Sequence, residues 1–572
     1  MGAGGVVGRI LGLAEADPGR RCIAFLDAEG AFEWIDRQSF VARARLAEGA
    51  LRRTGLRPDG VLLLVSVDPR ECATLVLAAL LVGARPLLLA PPSIQGVQSS
   101  LTAVLHSVLE RTRADVTVVP PNLHHLAAEL ASTCPGTRVV VGADRLLAGE
   151  AAESTERASP ELVSPLDTSI GLLQLTSGTT GFPRIATWRH DALLAALDGM
   201  AAGMGLREDD VYLNWTPLYH DMGLVNNFLL CQARGVPLSL LSPLDVVKRP
   251  AHWIRALATT QATTTWSPNF GLALAADRVQ EAELDGVRLD HVRGVWNAAE
   301  RVHLSTMERF WARFGPLGLA REALRTNFGC VETIGGVTFS AARASFRAER
   351  VDLAQLQEGA PVRALETGVE GVRVQSIVGL GPAYPGAELA VFDGAGERLP
   401  EGHLGAIAVR AAGTFSGYFG DAEASRAARV GEFVWTGDEG YLRDGELFWT
   451  GRRKERINLQ GRKYDPSEFE RTLDAVPGLR PGCFVAFGRE DPARGTEGLV
   501  LLAEVVPMEP SELADVAARV RRAVALGHGL LLDVLWLMEK GALTKTSSGK
   551  RRHLHFQELF LSGRLVPLYR AP

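Results

Sequence analysis

The chain has 572 residues, of which 47% are hydrophobic and 22% charged, with a formal net charge of −5. This composition is ordinary for a globular protein, and the length exceeds what one hydrophobic core usually supports, so we expect at least two domains. The sequence has no basic block of the kind that grips nucleic-acid phosphates, which argues against a nucleic-acid partner. Its six cysteines lie far apart with no C-x-x-C pair, which suits a reducing compartment and predicts neither a disulfide framework nor a zinc ribbon.

The amino-terminal segment 1–21 lacks the apolar core and the cleavage site of a signal peptide. The longest apolar stretch, "ATLVLAALLVGA" (73–84), is shorter than the roughly 20 residues that a membrane span needs. We interpret it as a buried helix or a helix–strand segment. Together these features predict a cytoplasmic protein with no membrane span.

Short apolar runs alternate with amphipathic stretches through most of the first 340 residues. The runs "VLLLVSV" (61–67), "ARPLLLA" (84–90) and "SIGLLQLT" (169–176) predict strands, and "SFVARARLAEGALRRTG" (39–55) predicts a helix. Strand–helix alternation with nearly continuous apolar strands is typical of α/β layers around mostly parallel sheets. From about 372 to 450, short strands separated by Gly, Asp and Pro turns predict an antiparallel, barrel-like subdomain.

The carboxy-terminal part of the sequence predicts a second, smaller domain. A polar, charge-rich run at 451–456 is followed by strand and helix patterns that fit a small α+β domain. We therefore predict a large domain over 1–451, a connecting segment over 452–456 and a small domain over 457–572. Residues 341–371 are poorly patterned and are interpreted as an insertion in the large domain.

One loop between two apolar runs has the composition of an anion-binding segment. Six of the ten residues in "LTSGTTGFPR" (175–184) are Ser, Thr or Gly. Glycines let the backbone turn its N–H groups inward and hydroxyls add donors, which together suit the oxygens of a polyphosphate. The loop is not a Walker motif, because Pro and Arg stand where that motif requires Gly-Lys, and a solvated turn remains an alternative. The candidate phosphate-binding residues are Ser177, Gly178, Thr179, Thr180 and Gly181.

Four further stretches follow this loop in a fixed order: "NWTPLYHDMGL" (214–224), "NFGCVET" (327–333), the run from "FVWTGDEG" to "PSEFE" (433–470) and "LTKTSSGKRR" (543–552). With the loop, they resemble the adenylate-forming enzyme superfamily, and the resemblance covers essentially the whole chain. It implies the fold of that superfamily: a large α/β amino-terminal domain with a β-barrel-like subdomain, and a small mobile α+β domain.

Within the superfamily the sequence most resembles the fatty acyl-AMP ligases. "PLYHDMGL" has the form of their substrate-gate motif, "WSPNFGLAL" (266–274) looks like their Pro-Asn-Phe segment, and residues 296–334 follow their "NGAEPV" to "YGLAE" stretch. The poorly patterned 341–371 falls where that family carries an insertion, which is thought to restrain domain movement and to disfavour coenzyme A as acceptor.

The resemblance implies a reaction in two steps, with ATP and Mg²⁺ as cofactors. A carboxylate attacks the α-phosphorus of ATP to give acyl-AMP and pyrophosphate, and the phosphopantetheine thiol of an acyl carrier protein then takes the acyl group. The first step needs no general base, because a carboxylic acid is already ionised at pH 7. Catalysis should therefore consist of positioning and of cations that offset the negative charge.

The resemblance assigns the β- and γ-phosphates to Thr176 and the five loop residues that follow it. Arg184 stands where the family usually has lysine, and it keeps the charge but presents a planar fork. Glu332 matches the Mg²⁺-binding acid of the family, since a hard cation that bridges phosphates prefers oxygen ligands. A surface or helix-capping glutamate is the alternative for Glu332.

Two segments match the adenine-binding residues of the family. Ala298 replaces a glycine and adds a methyl group near the nucleotide, whereas Phe328 replaces a tyrosine and keeps the stacking surface. Asp438 matches the acid that accepts hydrogen bonds from both ribose hydroxyls, although "GDEG" could also be a plain hairpin turn. Arg452 matches an arginine beside the ribose and phosphates. The two adenine-side segments are Ala298, Ala299, Glu300 and Asn327, Phe328, Gly329.

The remaining assignments concern catalysis, the hinge and the acid. Lys550 matches the catalytic lysine that the small domain brings over the α-phosphate, with a solvated surface lysine as the alternative. Glu455 occupies the hinge position, where the family usually has aspartate. His220 corresponds to a residue near the acyl carboxylate that gates the tunnel, and a hydrogen-bonded core histidine is its alternative. Phe270 is a candidate for the acyl pocket, and ordinary core packing explains it equally well.

The leading hypothesis is therefore a fatty acyl-AMP ligase that activates a carboxylic acid and loads an acyl carrier protein. An acyl-CoA synthetase is the runner-up. A nucleotide-binding remnant without catalysis is a third hypothesis, supported by three departures from the family pattern: Arg184, Ala298 and Thr544, the last of which stands where the family has proline.

Overall fold

The computed structural model describes residues 5–26, 30–91, 98–134, 136–150, 170–176, 183–341, 346–366, 374–459, 462–491, 496–545 and 551–571. None of the helices in these ranges has the length and hydropathy of a bilayer-crossing segment. The phosphate-loop residues Ser177, Gly178, Thr179, Thr180 and Gly181 and the catalytic candidate Lys550 lie outside the described residues.

The first 150 residues build a parallel sheet covered by helices. Strands β4, β3, β5 and β6 lie side by side in that order, and every neighbouring pair is parallel. The apolar stretch that could have suggested a membrane span is helix α3, which begins after the N-cap Asp68 and ends at Gly83. Most of its side chains are buried, as predicted. In chain order the elements are α1 (Gly5–Ala16), β1 (Arg21–Leu26), β2 (Phe32–Asp36), α2 (Arg37–Thr54), β3 (Val61–Val65), α3 (Pro69–Val82), β4 (Arg85–Leu89), α4 (Gln98–Thr112), β5 (Val116–Val119), α5 (His124–Thr133), β6 (Arg138–Val141) and α6 (Asp144–Leu147).

The next segment builds the main sheet and an antiparallel hairpin. The hairpin is β7–β8, and the candidate phosphate loop connects these two strands in the sequence. The elements are β7 (Ile170–Leu175), β8 (Ile185–Arg189), α7 (His190–Met204), β9 (Tyr212–Asn214), α8 (Asp221–Gly223), a π-helix (Leu224–Leu229), α9 (Leu230–Arg234), β10 (Leu238–Leu240), α10 (Pro243–Lys248), α11 (Ala251–Thr260), β11 (Thr264–Pro268), α12 (Asn269–Arg278), β12 (Gly294–Ala298), α13 (Leu304–Phe314), β13 (Leu324–Cys330) and β14 (Gly335–Phe339).

The main sheet has eight strands in the order β14-β13-β12-β11-β9-β10-β1-β2. Its interior pairs are parallel, and only the two edge strands, β14 and β2, run antiparallel to their neighbours. The α/β prediction is therefore confirmed. Because β12 and β13 are parallel neighbours, the segments that follow both strands meet at one edge of the sheet. Both adenine-side segments lie at that edge.

Residues 346–459 form antiparallel structure, as the sequence predicts for 372–450. Strands β17, β18, β21 and β20 form one sheet, and β22 pairs with β21. The elements are β15 (Ala348–Asp352), β16 (Val374–Val378), β17 (Glu388–Phe392), β18 (Gly405–Arg410), β19 (Gly417–Tyr418), α14 (Ala422–Ala427), β20 (Arg429–Val430), β21 (Phe433–Arg443), β22 (Glu446–Arg452) and β23 (Ile457–Leu459).

The described part of the suspected insertion is folded onto this antiparallel region. Strand β15 pairs with β16, and Val351 and Val362 share a small apolar core with Tyr441 and Phe448. The side chain of Glu349, which lies within this core, accepts a hydrogen bond from the Tyr441 hydroxyl at 3.0 Å. The described residues of 341–371 therefore pack against the antiparallel strands of the large domain.

The carboxy-terminal residues form a smaller α+β unit. Its sheet has the order β25-β26-β27-β28, and its apolar core is separate from that of the large domain and begins with Ile457. The large and small domains of the adenylate-forming fold are thus present, whereas the boundaries at 451 and 457 stay predictions. The elements are β24 (Arg462–Tyr464), α15 (Pro466–Leu473), β25 (Leu479–Asp491), β26 (Thr496–Val505), α16 (Leu513–His528), β27 (Val534–Met538), α17 (His553–Leu561) and β28 (Tyr569–Ala571).

Candidate active site

A cavity of about 2330 Å³ lies between the large and the small domain. Residues of β12, β13, β21, β22 and the β7–β8 hairpin line one wall, and residues around α15 and α17 line the other. Every candidate site residue that the structure describes contributes to this lining. They are Thr176, Arg184, His220, Phe270, Ala298, Ala299, Glu300, Asn327, Phe328, Gly329, Glu332, Asp438, Arg452 and Glu455.

The β7–β8 hairpin fixes the two ends of the candidate phosphate loop. The Thr176 N–H donates to the Arg184 carbonyl at 2.9 Å, and the Arg184 N–H donates to the Thr176 hydroxyl oxygen at 3.1 Å. The antiparallel ladder continues from this pair, with Leu175 opposite Ile185. The two residues that flank the loop in the sequence are therefore hydrogen-bonded to each other.

A tyrosine that the sequence analysis did not single out joins Arg184 to Glu332. Strand β19 pairs with β8, which places Tyr418 opposite Ala186. The Tyr418 hydroxyl donates to Glu332 Oε1 at 2.7 Å, and Arg184 Cζ lies 5.0 Å from the centroid of the Tyr418 ring. Burial, and after it the Glu332 carboxylate, raises the pKa of the Tyr418 hydroxyl. The hydroxyl therefore keeps its proton and acts as the donor in this pair.

The residues around Glu332 fit a magnesium ion that arrives with a nucleotide. No group of three His, Cys, Asp or Glu side chains that could hold a metal occurs in the described ranges. Mg²⁺, however, keeps several waters and usually takes only one or two protein carboxylates in addition to phosphate oxygens. A single carboxylate on the cavity wall, with one oxygen held by a neutral donor, meets that requirement.

The adenine-side segments lie where β12 and β13 end. Ala299 follows β12 with φ of 71°, a left-handed conformation that is uncommon for a residue with a β-carbon and tends to occur at functional sites. Glu300 Oε1 accepts the backbone N–H of Phe270 at 2.5 Å, so this carboxylate contacts the first turn of α12. The Phe270 ring also packs edge-on against Trp215, with the centroids 6.0 Å apart. Phe270 thus lines the cavity and takes part in core packing as well.

The ribose-side candidates are opposite one another on two paired strands. Asp438 on β21 faces Arg452 on β22, and Arg452 Nε lies 3.6 Å from Asp438 Oδ1. Desolvation disfavours the charge of Arg452, but Asp438, Glu455 and Glu332 outweigh it and raise the pKa of the guanidinium. Arg452 is therefore a fixed cation among the carboxylates assigned to ribose, hinge and metal.

His220 is held by its own backbone turn at the start of α8. Its Nδ1 lies 2.8 Å from Asp221 Oδ1 and 3.2 Å from the backbone N–H of Met222. The π-helix at 224–229 follows directly, and such helices often occur at functional sites. The His220 ring is thus locally hydrogen-bonded and also lines the cavity, and its role near the acyl carboxylate stays a prediction.

The small-domain wall contains a buried ionic cluster around the hinge candidate. His553 Nδ1 lies 3.2 Å from Glu455 Oε2, and His553 Nε2 lies 2.7 Å from Glu470 Oε1. Arg551 Nη1 lies 3.2 Å from the other oxygen of Glu470. Burial opposes the charged imidazole, but Glu470 and Glu455 more than offset this and raise the pKa of His553 to about 10. At neutral pH an imidazolium therefore ties the hinge segment to α15.

Comparison with known proteins identifies the family. The family model described as AMP-binding enzyme matches residues 13–419. The chain belongs to this family. As an AMP-binding enzyme it uses ATP to convert a carboxylic acid to an acyl-adenylate.

Individual relatives are distant. A protein of Caulobacter vibrioides, provisionally named an acyl-CoA synthetase, is 29% identical over 92% of this chain and 89% of its own length. A medium-chain-fatty-acid–[acyl-carrier-protein] ligase of Teredinibacter turnerae is 28% identical over 70% of this chain and 64% of its own. A solved structure from work on fatty acyl-adenylate ligases of E. coli and L. pneumophila superposes with a TM-score of 0.87 at 24% identity, over 99% of both chains. That structural likeness supports the fold.

In this AMP-binding enzyme, Arg301 links the adenine side to the small domain. One guanidinium nitrogen donates to Ser467 Oγ at 3.1 Å, and the other donates to the Thr450 carbonyl and lies 3.7 Å from Asp465 Oδ2. Asp465 is the N-cap of α15. Burial opposes its charge, but Arg301 and Arg456 hold the pKa of the Asp465 carboxyl well below its usual range. The two domains are thus joined by a charge-assisted contact beside the nucleotide side of the cavity.

Three residues of the site were missed by the sequence analysis: Tyr418, His553 and Arg301. Tyr418 and His553 carry no local signal, because their partners are distant in sequence. Arg301 had one, since it stands where the "NGAEPV" pattern of the resembling family has proline. Arg301 is therefore a departure from the family pattern of the same kind as Arg184 and Ala298.

Proposed function

We propose that this AMP-binding enzyme is a fatty acyl-AMP ligase that transfers its acyl group to the phosphopantetheine thiol of an acyl carrier protein. The observation that carries the proposal is the convergence of the described residues of five separate motifs on one cavity between two domains. The relative from Teredinibacter turnerae, which is named as a fatty-acid–[acyl-carrier-protein] ligase, supports both the acid and the acceptor.

In the first half of the reaction, a carboxylate oxygen of the acid bonds to the α-phosphorus as the bond to pyrophosphate breaks. The loop from Thr176 to Gly181 and the Arg184 guanidinium would hold the β- and γ-phosphates. The Lys550 ammonium would offset the charge that builds up at the α-phosphorus; this assignment rests on the resemblance alone. When bound, Mg²⁺ supplies further charge neutralisation on the phosphate oxygens, and Glu332 would hold it.

The remaining large-domain residues would orient the nucleotide. Asp438 has two acceptor oxygens for the two ribose hydroxyls, and Arg452 Nε lies 3.6 Å from one of them. Phe328 offers a ring to the adenine, beside the segments that end β12 and β13. Orientation of this kind converts the approach of the carboxylate into an effectively unimolecular step.

The cavity wall favours an acid with an apolar chain. Leu244 and Val247 line it, and these two residues are 44% and 42% exposed. Large aliphatic side chains left facing a cavity gain by burial against an apolar ligand. Together with the Phe270 ring, they would accept the hydrocarbon part of a fatty acid, whereas His220 would lie near its carboxylate.

In the second half of the reaction, the thiol sulfur bonds to the acyl carbonyl carbon and AMP leaves, so the mixed anhydride becomes a thioester. The small domain is expected to move between the two half-reactions about Glu455. The insertion contacts this hinge segment, because Arg453 Nη2 donates to Glu358 Oε1 at 2.7 Å. That contact fits a restraint on the movement.

The adenylation half is tested by carboxylate-dependent exchange of pyrophosphate into ATP, with a panel of fatty, aromatic and short acids. We expect exchange with fatty acids and detection of the acyl-AMP by mass spectrometry. If the protein binds ATP but supports no exchange with any acid, the proposal fails and the non-catalytic remnant is favoured.

The acceptor is tested in parallel reactions that supply either a phosphopantetheinylated acyl carrier protein or coenzyme A. We expect thioester formation on the carrier protein and little on coenzyme A. The relative from Caulobacter vibrioides favours the second candidate, an acyl-CoA synthetase. Rapid acyl-CoA formation without loading of the carrier would establish that candidate and reject the proposed acceptor.

A further inference from the structure

We propose that Tyr418 is a positioning residue of the adenylation site, whose hydroxyl fixes the Glu332 carboxylate while its ring supports the Arg184 guanidinium. One side chain would then set the spacing between a metal-binding acid and a phosphate-binding cation. This inference rests on the proposed function of the same site and adds a residue that neither the motifs nor the resemblance assigns.

The backbone around Tyr418 is held rigidly enough to serve as a reference point. Gly417 and Tyr418 pair with Thr187 and Ala186 across β19 and β8. The Thr187 hydroxyl donates to the Gly417 carbonyl at 2.8 Å. Because Arg184 directly precedes β8, the ring and the guanidinium are positioned by the same ladder.

Glu332 is attached to the same region through its main chain. The backbone N–H of Phe415 donates to the Glu332 carbonyl at 2.9 Å, three residues before Tyr418 donates to the Glu332 side chain at 2.7 Å. The acid is therefore fixed at two points by one segment, although 86 residues separate it from the tyrosine.

The arrangement keeps two opposite charges close without letting them neutralise each other. In the described part of the chain, no ion pair joins Arg184 to Glu332, and Tyr418 contacts both. A hydroxyl satisfies one carboxylate oxygen without adding charge, and an aromatic face attracts a guanidinium without removing its charge. A direct ion pair would instead weaken the affinity of Glu332 for the metal and of Arg184 for the phosphates.

The two parts of the side chain can be tested separately. Tyr418→Phe removes only the hydroxyl, whereas Tyr418→Leu also removes the ring beneath Arg184. Tyr384→Phe is the matched control, because the Tyr384 hydroxyl is buried and has no hydrogen-bond partner within the described ranges. All three proteins are compared with the wild type by thermal unfolding, which reports any loss of folding.

The measurement is calorimetric binding of a non-hydrolysable ATP analogue without acid, with and without Mg²⁺. We expect Tyr418→Phe to reduce the gain in affinity that Mg²⁺ provides by about tenfold, the range for a hydrogen bond to a charged group. Metal-free binding should change less than in Tyr418→Leu, because Arg184 loses its interaction with the hydroxyl but keeps the ring. Tyr418→Leu should also weaken metal-free binding, because it removes the ring beneath Arg184. Mn²⁺ electron paramagnetic resonance of the same complexes should show a changed coordination signal in both Tyr418 variants and an unchanged signal in Tyr384→Phe.

The outcomes separate this inference from the function on which it rests. If Tyr418→Phe keeps the wild-type gain from Mg²⁺, or loses no more than Tyr384→Phe, Tyr418 positions nothing and the inference is wrong. If the folded wild type itself binds no nucleotide and supports no exchange, the proposed function fails and the inference fails with it.

Discussion

The two walls of the cavity are built by different kinds of bond. On the large-domain wall, backbone ladders hold the candidate residues: Asp438 faces Arg452 across β21 and β22, and Tyr418 faces Ala186 across β19 and β8. On the small-domain wall, side-chain charges make the connections, as Arg301 does to Ser467. The backbone hydrogen bonds between paired strands break only cooperatively, whereas a charged side chain can leave one ion pair and form another. We therefore expect the nucleotide to bind to the large-domain wall, which backbone ladders hold, and the movement to occur at the small-domain wall.

The strongest test of this division concerns the cation that the small domain is expected to supply. Lys550→Ala should abolish acyl-AMP formation, by about 10³-fold or more, while leaving ATP binding nearly unchanged, because the charge acts at the α-phosphorus during reaction. Exchange of pyrophosphate and calorimetric ATP binding measure the two effects. Lys540→Ala, which changes an exposed lysine of the same domain, is the control. Near-normal acyl-AMP synthesis by Lys550→Ala would show that residues of the large-domain wall are sufficient for catalysis.

The opposite result is expected for a large-domain residue. Asp438→Ala should raise the KM for ATP by about 10- to 100-fold, because two hydrogen bonds from ribose lose their charged acceptor and Arg452 loses its partner. Initial rates at varied ATP and saturating acid measure this, with the exposed Asp209→Ala as control. A fall in kcat at unchanged KM would place Asp438 among the groups that act only in the transition state.

The ionic cluster at the hinge predicts a pH dependence confined to the small-domain wall. His553 is more basic when folded, near a pKa of about 10, than an unfolded histidine near 6.5. Its contribution to the free energy of unfolding is therefore complete below about pH 6.5 and is lost as the pH rises toward 10. We expect the wild type to lose roughly 1–2 kcal/mol between pH 7 and 9, measured by urea unfolding.

The control for this prediction is His553→Gln, which keeps a hydrogen-bonding side chain but cannot titrate. It should be less stable than the wild type at pH 7 and should show a flatter pH profile. Identical slopes for the two proteins would mean that His553 is not charged between Glu455 and Glu470.

The smallest expected effect is at the contact between the domains. Arg301→Ala and Ser467→Ala should each weaken the attachment of the small domain, and the double variant should show a coupling of about 1 kcal/mol, because one hydrogen bond is removed by either change. Protease cleavage rates within 452–456 measure how often the domains separate. Fully additive effects would show that the Arg301–Ser467 bond does not hold the domains together.

The sequence predicted the fold because its signals are local. Apolar runs of strand length predicted β3 and β4 of the parallel sheet, and short strands separated by Gly, Asp and Pro turns predicted the antiparallel region around β21. Pairing partners were not predictable in the same way. The run 169–176 looks like the other apolar strands, but it pairs antiparallel with β8, and the poorly patterned insertion contains β15, whose partner β16 lies beyond it.

The same limit applies to the candidate site. Ordered motifs brought Asp438, Glu332 and Arg184 to attention, and all three line one cavity. Arg301 reaches Ser467 across 166 residues, and only the docking of two domains creates that contact. Propensity and spacing describe neighbours along the chain, so residues whose role depends on distant partners stay hidden until the tertiary structure is known.

The register of β21 and β22 has one further consequence. Arg452, directly opposite Asp438, is the last residue of β22 and the first residue of the segment expected to bend, 452–456. A ribose bound to Asp438 would therefore restrain the backbone about which the small domain rotates. Amide hydrogen exchange at the end of β22 should slow on addition of nucleotide, while exchange beyond residue 456 should stay unchanged. Substrate binding would then make the end of β22 more rigid and leave the small domain free to rotate.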